Sequence, residues 1–285
     1  MVLWACSRSN LWTTAALPML RAMEHTAYLD TIRDETQRFL EALATVPGDA
    51  PVPSCEGWTV DDLAWHLAEV QHFWAEVVST GKDGDDVVAP ARPGDSAGLA
   101  ELGARSGTEL LTALAGRTPQ DRCWSWHEDG GSVGWVARRQ AHEVLVHRVD
   151  AELAAGHAVT PPSAELAADG VDEVLRVMVD GVPGWGTFTP DGLTVRVVCG
   201  NAPAAWVLAL GRFTGTGPDS GTEYDLDAAA LLQEDGGGVD ALTLEGPAWD
   251  LDRWLWGRGD LAGVAVSGDL ALVERLRALV ADATQ

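Results

Sequence analysis

Cysteine is scarce in this chain of 285 residues: Cys6, Cys55, Cys123 and Cys199 lie far apart, and no CxxC pair exists. That excludes a small disulfide framework and fits a reducing cytoplasm. Neither Cys55 nor Cys123 has a histidine at a recognisable spacing, so a cysteine nucleophile is not expected. Positive charge is also short. Lysine is sparse, and 19 Lys plus Arg face 43 Asp plus Glu, a formal charge of -24. A surface of that sign repels phosphate backbones and anionic headgroups, which argues against nucleic acid and membrane surfaces as partners. No run approaches the roughly 20 apolar residues of a membrane-spanning helix. The glycine run DGGGVD at 235–240 lacks the strand-before and helix-after context of a phosphate loop.

What is present is a core. Hydrophobic residues make up 46% and charged residues 22%, enough for one large or two modest globular domains and too apolar for disorder. Residues 1–23 read as a tail in which Pro18 breaks the short apolar run. Met23 opens a segment that is helical from its first turn, so a functional extension and a start placed too far upstream both remain open.

The first long helix is expected over 27–46, with Leu29, Ile32, Phe39, Leu40 and Leu43 at helical spacing. After a proline-rich connector, Thr59 and Asp62 form an N-cap pair that opens a helix to about Ser79. Its stripe is Leu63, Leu67, Val70, Phe73, Trp74 and Val77, and His66 lies beside it. Leu99, Leu102, Leu110, Leu111 and Leu114 mark a third helix, and VGWVARRQAHEVLVHRVDAELAAG a fourth, stopped at Gly156. Four such helices predict a bundle over 24–156. HAVTPPSAE then reads as a linker to a second domain at 163–285. There, strands at 193–198, 205–210 and 241–246 alternate with helical stretches at 163–180, around 225–233, at 247–257 and at 269–283. The fold class is therefore α+β with two domains.

The chemistry centres on HEVLVH. Glu143 and His147 are four apart and share a helix face, so both can reach one metal. A bundle site completes its coordination from a facing helix, for which His66 is best placed. Two imidazoles and a carboxylate suit Zn²⁺ or a similar divalent ion and leave a position open. The competing readings are a solvated Glu–His pair and a hydrogen-bonded core histidine. The string is not HExxH, since its histidines are five apart, and a metalloprotease reading fails on geometry. Asp150, three residues after His147, either orients that imidazole or is a surface charge. His72 and His142 read as structural or exposed. Trp126 and His127 line the site or cover a core edge. Among thirteen tryptophans, Trp249, Trp254 and Trp256 read as a core stripe ahead of a stacking cage.

SCEGWTVDDLAWHL followed by HEVLVHRVDAE, with AWDLDRWLWGR and VSGDLALVERL near the end, resembles the mycothiol-dependent maleylpyruvate isomerase family, a branch of the DinB-like metalloproteins. The resemblance implies a DinB-like bundle, a C-terminal α+β domain related to sterol-carrier folds, and metal ligands at His66, Glu143 and His147. It also implies a catalytic arginine, matched by Arg258, which could clamp a substrate carboxylate. Where the family shows Pro-Gly-Trp, this chain has Glu56-Gly57-Trp58. The implied activity is divalent-metal-activated attack of the mycothiol thiolate on a small electrophile, giving cis-trans isomerisation or S-transfer. An anionic substrate would need a local cationic patch, expected from Arg258 with Arg138, Arg139 or Arg148. The acidity, abundant Ala and Gly, and sparse Lys are compatible with an actinobacterial source, the group that makes mycothiol. The alternative from another class is a non-catalytic small-molecule-binding protein with a structural metal site.

Overall fold

The computed structural model describes Leu20 and residues 22–127, 130–232 and 240–284. Residues 1–19, and the glycine run apart from Asp240, lie outside them. Helices α1 (His25–Leu43), α2 (Val60–Thr80), α3 (Ser96–Ala115) and α4 (Val133–Ala154) build one hydrophobic core around Ile32, Phe39, Leu63, Leu110, Leu114 and Val144. The Thr59–Asp62 capping box forms as the sequence predicts. Asp62 N donates to Thr59 Oγ1 at 3.2 Å and Thr59 N to Asp62 Oδ2 at 3.0 Å, satisfying donors a helix start leaves open. Gly81, at φ 73°, ends α2 in the left-handed conformation that a side chain would strain.

Helix α4 is buried on every side: Val136, Ala141, Val144 and Leu145 share it with buried Arg139, His142, His147, Arg148 and Asp150. Buried charges require partners. Fully buried Arg148 donates to Glu35 of α1 and Glu152 of its own helix, both at 2.6 Å.

The second core joins α5 (Ala164–Glu173), which continues as a π-helical turn over Val174–Val179, to the strands β1 (Gly186–Cys199), β2 (Ala205–Thr216), β3 (Glu223–Leu231), β4 (Leu242–Gly246) and β5 (Ala265–Gly268). Helices α6 (Ala248–Leu255) and α7 (Ala271–Ala283) complete it. The sheet order is β3-β2-β1-β4-β5, with β1 and β4 parallel and the other pairs antiparallel. Leu208 and Leu210 are fully buried, each such side chain contributing about 1.5–3 kcal/mol. Val146 of α4 packs into this second core, so the helix that carries the candidate site is common to both halves.

One element differs from expectation. The stretch expected as a helix around 225–233 is, as far as Leu231, the edge strand β3, and residue 233 lies outside the described residues. Its Ala and Leu content favours a helix, but Ala229 and Leu231 alternate inward and the segment pairs with β2 from Leu208↔Leu231 to Thr216↔Glu223. Pairing across a sheet overrides a weak local propensity. β1 also begins earlier than expected, through an irregularity between Pro190 and Thr194. No helix of the described residues is long and apolar enough to cross a membrane.

Candidate metal centre

Helices α2 and α4 bring the three expected residues together. His66 Nε2 and His147 Nε2 each lie 3.2 Å from Glu143 Oε1, and one donor atom from each residue falls within 4.8 Å of the others. Tetrahedral ligands at about 2.1 Å from a metal stand about 3.4 Å apart, so the spacing and the two-nitrogen, one-oxygen donor set fit a zinc-like ion. Trp58, from the loop before α2, roofs the pair. Its ring lies 4.9 Å from that of His66 and stacks 6.4 Å from that of His147.

Glu143 and His147 on α4 are each held from behind. His147 Nδ1–H donates to Asp150 Oδ2 at 2.9 Å, which leaves Nε2 facing the centre. Asp150 is fully buried and accepts further bonds from Ser54 Oγ at 2.5 Å and from Arg258 Nε and Nη2 at 2.9 and 3.0 Å. It is a buried, fully hydrogen-bonded carboxylate rather than a surface charge. Glu143 Oε2 accepts from Arg139 Nη2, and Arg139 Nη1 donates onward to Glu173 Oε1 of α5. These partners set the protonation states. Burial alone would raise the Glu143 carboxyl, but Arg139 and His147 hold it well below the usual carboxylate range. Burial opposes charge on His147, yet Glu143 and Asp150 push it up to about 9. Burial, with Asp150, pushes the Cys55 thiol up to about 11, a protonated and unreactive form at neutral pH.

The centre opens into a cavity of about 1050 Å³ between the two halves. Ser54, Cys55, His66, Glu143 and His147 line it around the centre with Arg258 beside Cys55, and Val177 and Met178 of the π-helical turn, Trp254, Arg277 and Val280 also line it. Trp126 also lines it, 52% exposed, whereas His127 stacks on Trp135 at 6.2 Å. Trp254 and Trp256 are buried core residues that show one edge to the cavity.

Of the expected cationic patch, Arg139 and Arg258 line the cavity, and all four arginines are ion-paired. Arg138 is bound by Asp169 and Asp172, Arg139 by Glu143 and Glu173, Arg148 by Glu35 and Glu152, and Arg258 by Asp150. In a fold this acidic, buried guanidinium groups find carboxylates within their own chain. Arg258 reaches the cavity wall, but its fork is engaged: Nη1 donates to the Trp256 carbonyl at 2.6 Å and Nη2 lies 3.5 Å from Cys55 Sγ. His142 is buried and bonds Asp169 Oδ2 at 2.7 Å, a pin between the halves, and half-buried His72 faces the Val88 carbonyl at 3.3 Å, away from the centre. Sequence reasoning missed Glu173 and Asp169. The signal was three acids, Asp169, Asp172 and Glu173, in the second half of one short helix, where they are buried while the fourth acid, Glu165, is exposed in its first turn.

Residues 29–152 match the family model for the mycothiol maleylpyruvate isomerase N-terminal domain, and residues 165–275 match that family's C-terminal domain model. The chain is similar to a crystal structure of the mycothiol-dependent maleylpyruvate isomerase, at 17% identity and a TM-score of 0.53 over 87% of this chain and 95% of that one. A mutant form of that enzyme aligns at 18% identity and a TM-score of 0.55 over the same shares. At such identities the likeness speaks for the fold. Among curated proteins no match was found. The two model matches, which together span most of the sequence, show that the chain belongs to the mycothiol maleylpyruvate isomerase family.

Proposed function

We propose that this chain is a divalent-metal- and mycothiol-dependent enzyme that isomerises, or transfers the thiol to, a small electrophile. The observation that carries the reading is the convergence of His66 Nε2 and His147 Nε2 on Glu143 Oε1, at 3.2 Å each, on the wall of a large cavity. The donor set favours zinc. When bound, such a metal supplies Lewis acidity that makes a coordinated thiol a thiolate near neutral pH.

The chain's own residues do the rest. Asp150 holds the His147 ring through Nδ1, Arg139 keeps Glu143 ionised, and Trp58 covers one side of both imidazoles. In this reading Arg258 serves the reaction by holding Asp150 while its outer edge faces the substrate. Addition of the thiolate to a double bond allows rotation and departure in an isomerase; retention of the new C–S bond gives a transferase. Both share the first step. Residues 24–156 are taken as the DinB-like unit and 163–285 as the sterol-carrier-like unit, after a segment 1–23. A mycothiol requirement fits an actinobacterial cytoplasm.

The test loads purified protein with zinc and assays maleylpyruvate isomerisation and thiol conjugation with mycothiol, for the wild type and for His147→Ala. Near-stoichiometric metal and thiol-dependent turnover, both lost in the variant with its circular dichroism unchanged, is the expected result. Bound metal without thiol-dependent turnover in the wild type would instead make the metal a structural staple of a small-molecule-binding protein.

A further inference from the structure

We infer that Glu173 is a positioning residue for Glu143, acting through Arg139, so that the second half of the fold sets the metal affinity of a centre built in the first. This rests on the reading of His66, Glu143 and His147 as a metal site.

The geometry is a divided fork. A guanidinium meets a carboxylate most strongly by giving two parallel N–H donors to its two oxygens. Arg139 lies four residues before Glu143 on α4, near enough for that arrangement, yet it gives Glu143 one nitrogen only. Nη2 goes to Glu143 Oε2, while Nη1 goes to Glu173 Oε1 on α5. Glu143 Oε1 is thereby left facing the two imidazoles. Trp256, after α6, holds the guanidinium in place, its ring centre 5.6 Å from Arg139 Cζ.

A space-filling role does not account for Glu173. It is 1% exposed, and its Oε2 has no hydrogen-bond partner among the described residues. A half-satisfied buried carboxylate is a poor packing element, and an apolar side chain of similar volume would cost less to bury. What Glu173 supplies is a competing counter-charge for Arg139. Without that charge the fork closes on both oxygens of Glu143, drawing Oε1 out of the donor triangle and neutralising a ligand whose negative charge the metal requires.

The test is a cobalt titration of the full chain, read as affinity and as the d–d absorption of the bound ion, which reports ligand geometry independently of turnover. Glu173→Gln keeps the shape but removes the charge, and it is expected to lower cobalt affinity at least tenfold and to shift the spectrum. Asp172→Asn is the control. It weakens the same junction, where Asp172 accepts from Arg138, Arg176 and Trp206, but has no link to Glu143, and it should stay within twofold of the wild type with an unchanged spectrum. Should Glu173→Gln fail to fold, Arg139→Lys takes its place, since one ammonium cannot reproduce the divided fork and the same loss is expected. Wild-type affinity and spectrum in these variants, or losses that track melting temperature equally in variant and control, overturn the inference. A wild type that binds no cobalt overturns the metal-site reading itself.

Discussion

Asp150 joins His147 to Arg258: one carboxylate accepts the imidazole Nδ1 proton at 2.9 Å and is gripped by two guanidinium nitrogens at 2.9 and 3.0 Å. Residues from both halves of the chain thus meet on one buried anion. Asp150→Ala leaves Arg258, whose side chain is only 16% exposed, without a counter-charge. We expect a loss of about 3 kcal/mol or more in urea unfolding. Zinc affinity should fall about 10- to 100-fold, measured by competition with a chromophoric chelator.

Metal removal should be visible in stability as well as in turnover. At free zinc one hundred times its dissociation constant, binding to the native state alone adds about 2.7 kcal/mol. Chelation should therefore lower the melting temperature, and added zinc should restore it. In His66→Ala, neither chelator nor zinc should move the melting temperature.

Asp252 of α6 gives a pH signature outside the group of His66, Glu143 and His147. It is fully buried, and burial followed by the charges of Glu173 and Asp169 raises its carboxyl well above the normal range. The folded form therefore holds a proton that the unfolded chain releases near pH 3.9. The contribution of Asp252 is fully present below that pH and is lost as pH rises toward the folded pKa. The difference in unfolding free energy between wild type and Asp252→Asn should change in the variant's favour as pH is raised from 5 to 8. A difference independent of pH would contradict this.

Tyr28 of α1 donates to Asp169 Oδ2 of α5 at 2.9 Å, and the same oxygen takes bonds from Arg138 and His142. Hydrogen bonds to a charged acceptor contribute about 1.5–3 kcal/mol. Tyr28→Phe should cost about that much in chemical denaturation and leave zinc stoichiometry unchanged.

Much of this was legible in the sequence because it is local. The Thr59–Asp62 cap, the stripe on α2 and the four-residue step from Glu143 to His147 lie within one or two helical turns, where periodicity speaks. His66 could be paired with them once a bundle was assumed. Strand β3 was not legible, since Asp-Ala-Ala-Ala-Leu at 227–231 reads as helix until β2 needs an edge partner. Nor was the junction. Glu173 meets Arg139 across 34 residues and Asp169 meets Arg138 across 31, and no spacing rule connects an acid on α5 with a base on a helix in another core. The same blindness made Arg138, Arg139 and Arg148 look like free cations for substrate when each was already matched to an acid.

The π-helical turn at Val174–Val179 fits an extra residue into its winding, and Val177 and Met178 come from it to the cavity wall. Deleting one residue there would return the segment to regular α winding and leave its two ends in nearly the same relative orientation, while changing which side chains the turn itself presents. The turn therefore works as a register peg. Changes of side chain at Val177 or Met178 reshape the wall by a methyl group at a time, whereas a single-codon deletion would remove the bulge that brings both to it without touching His66, Glu143 or His147.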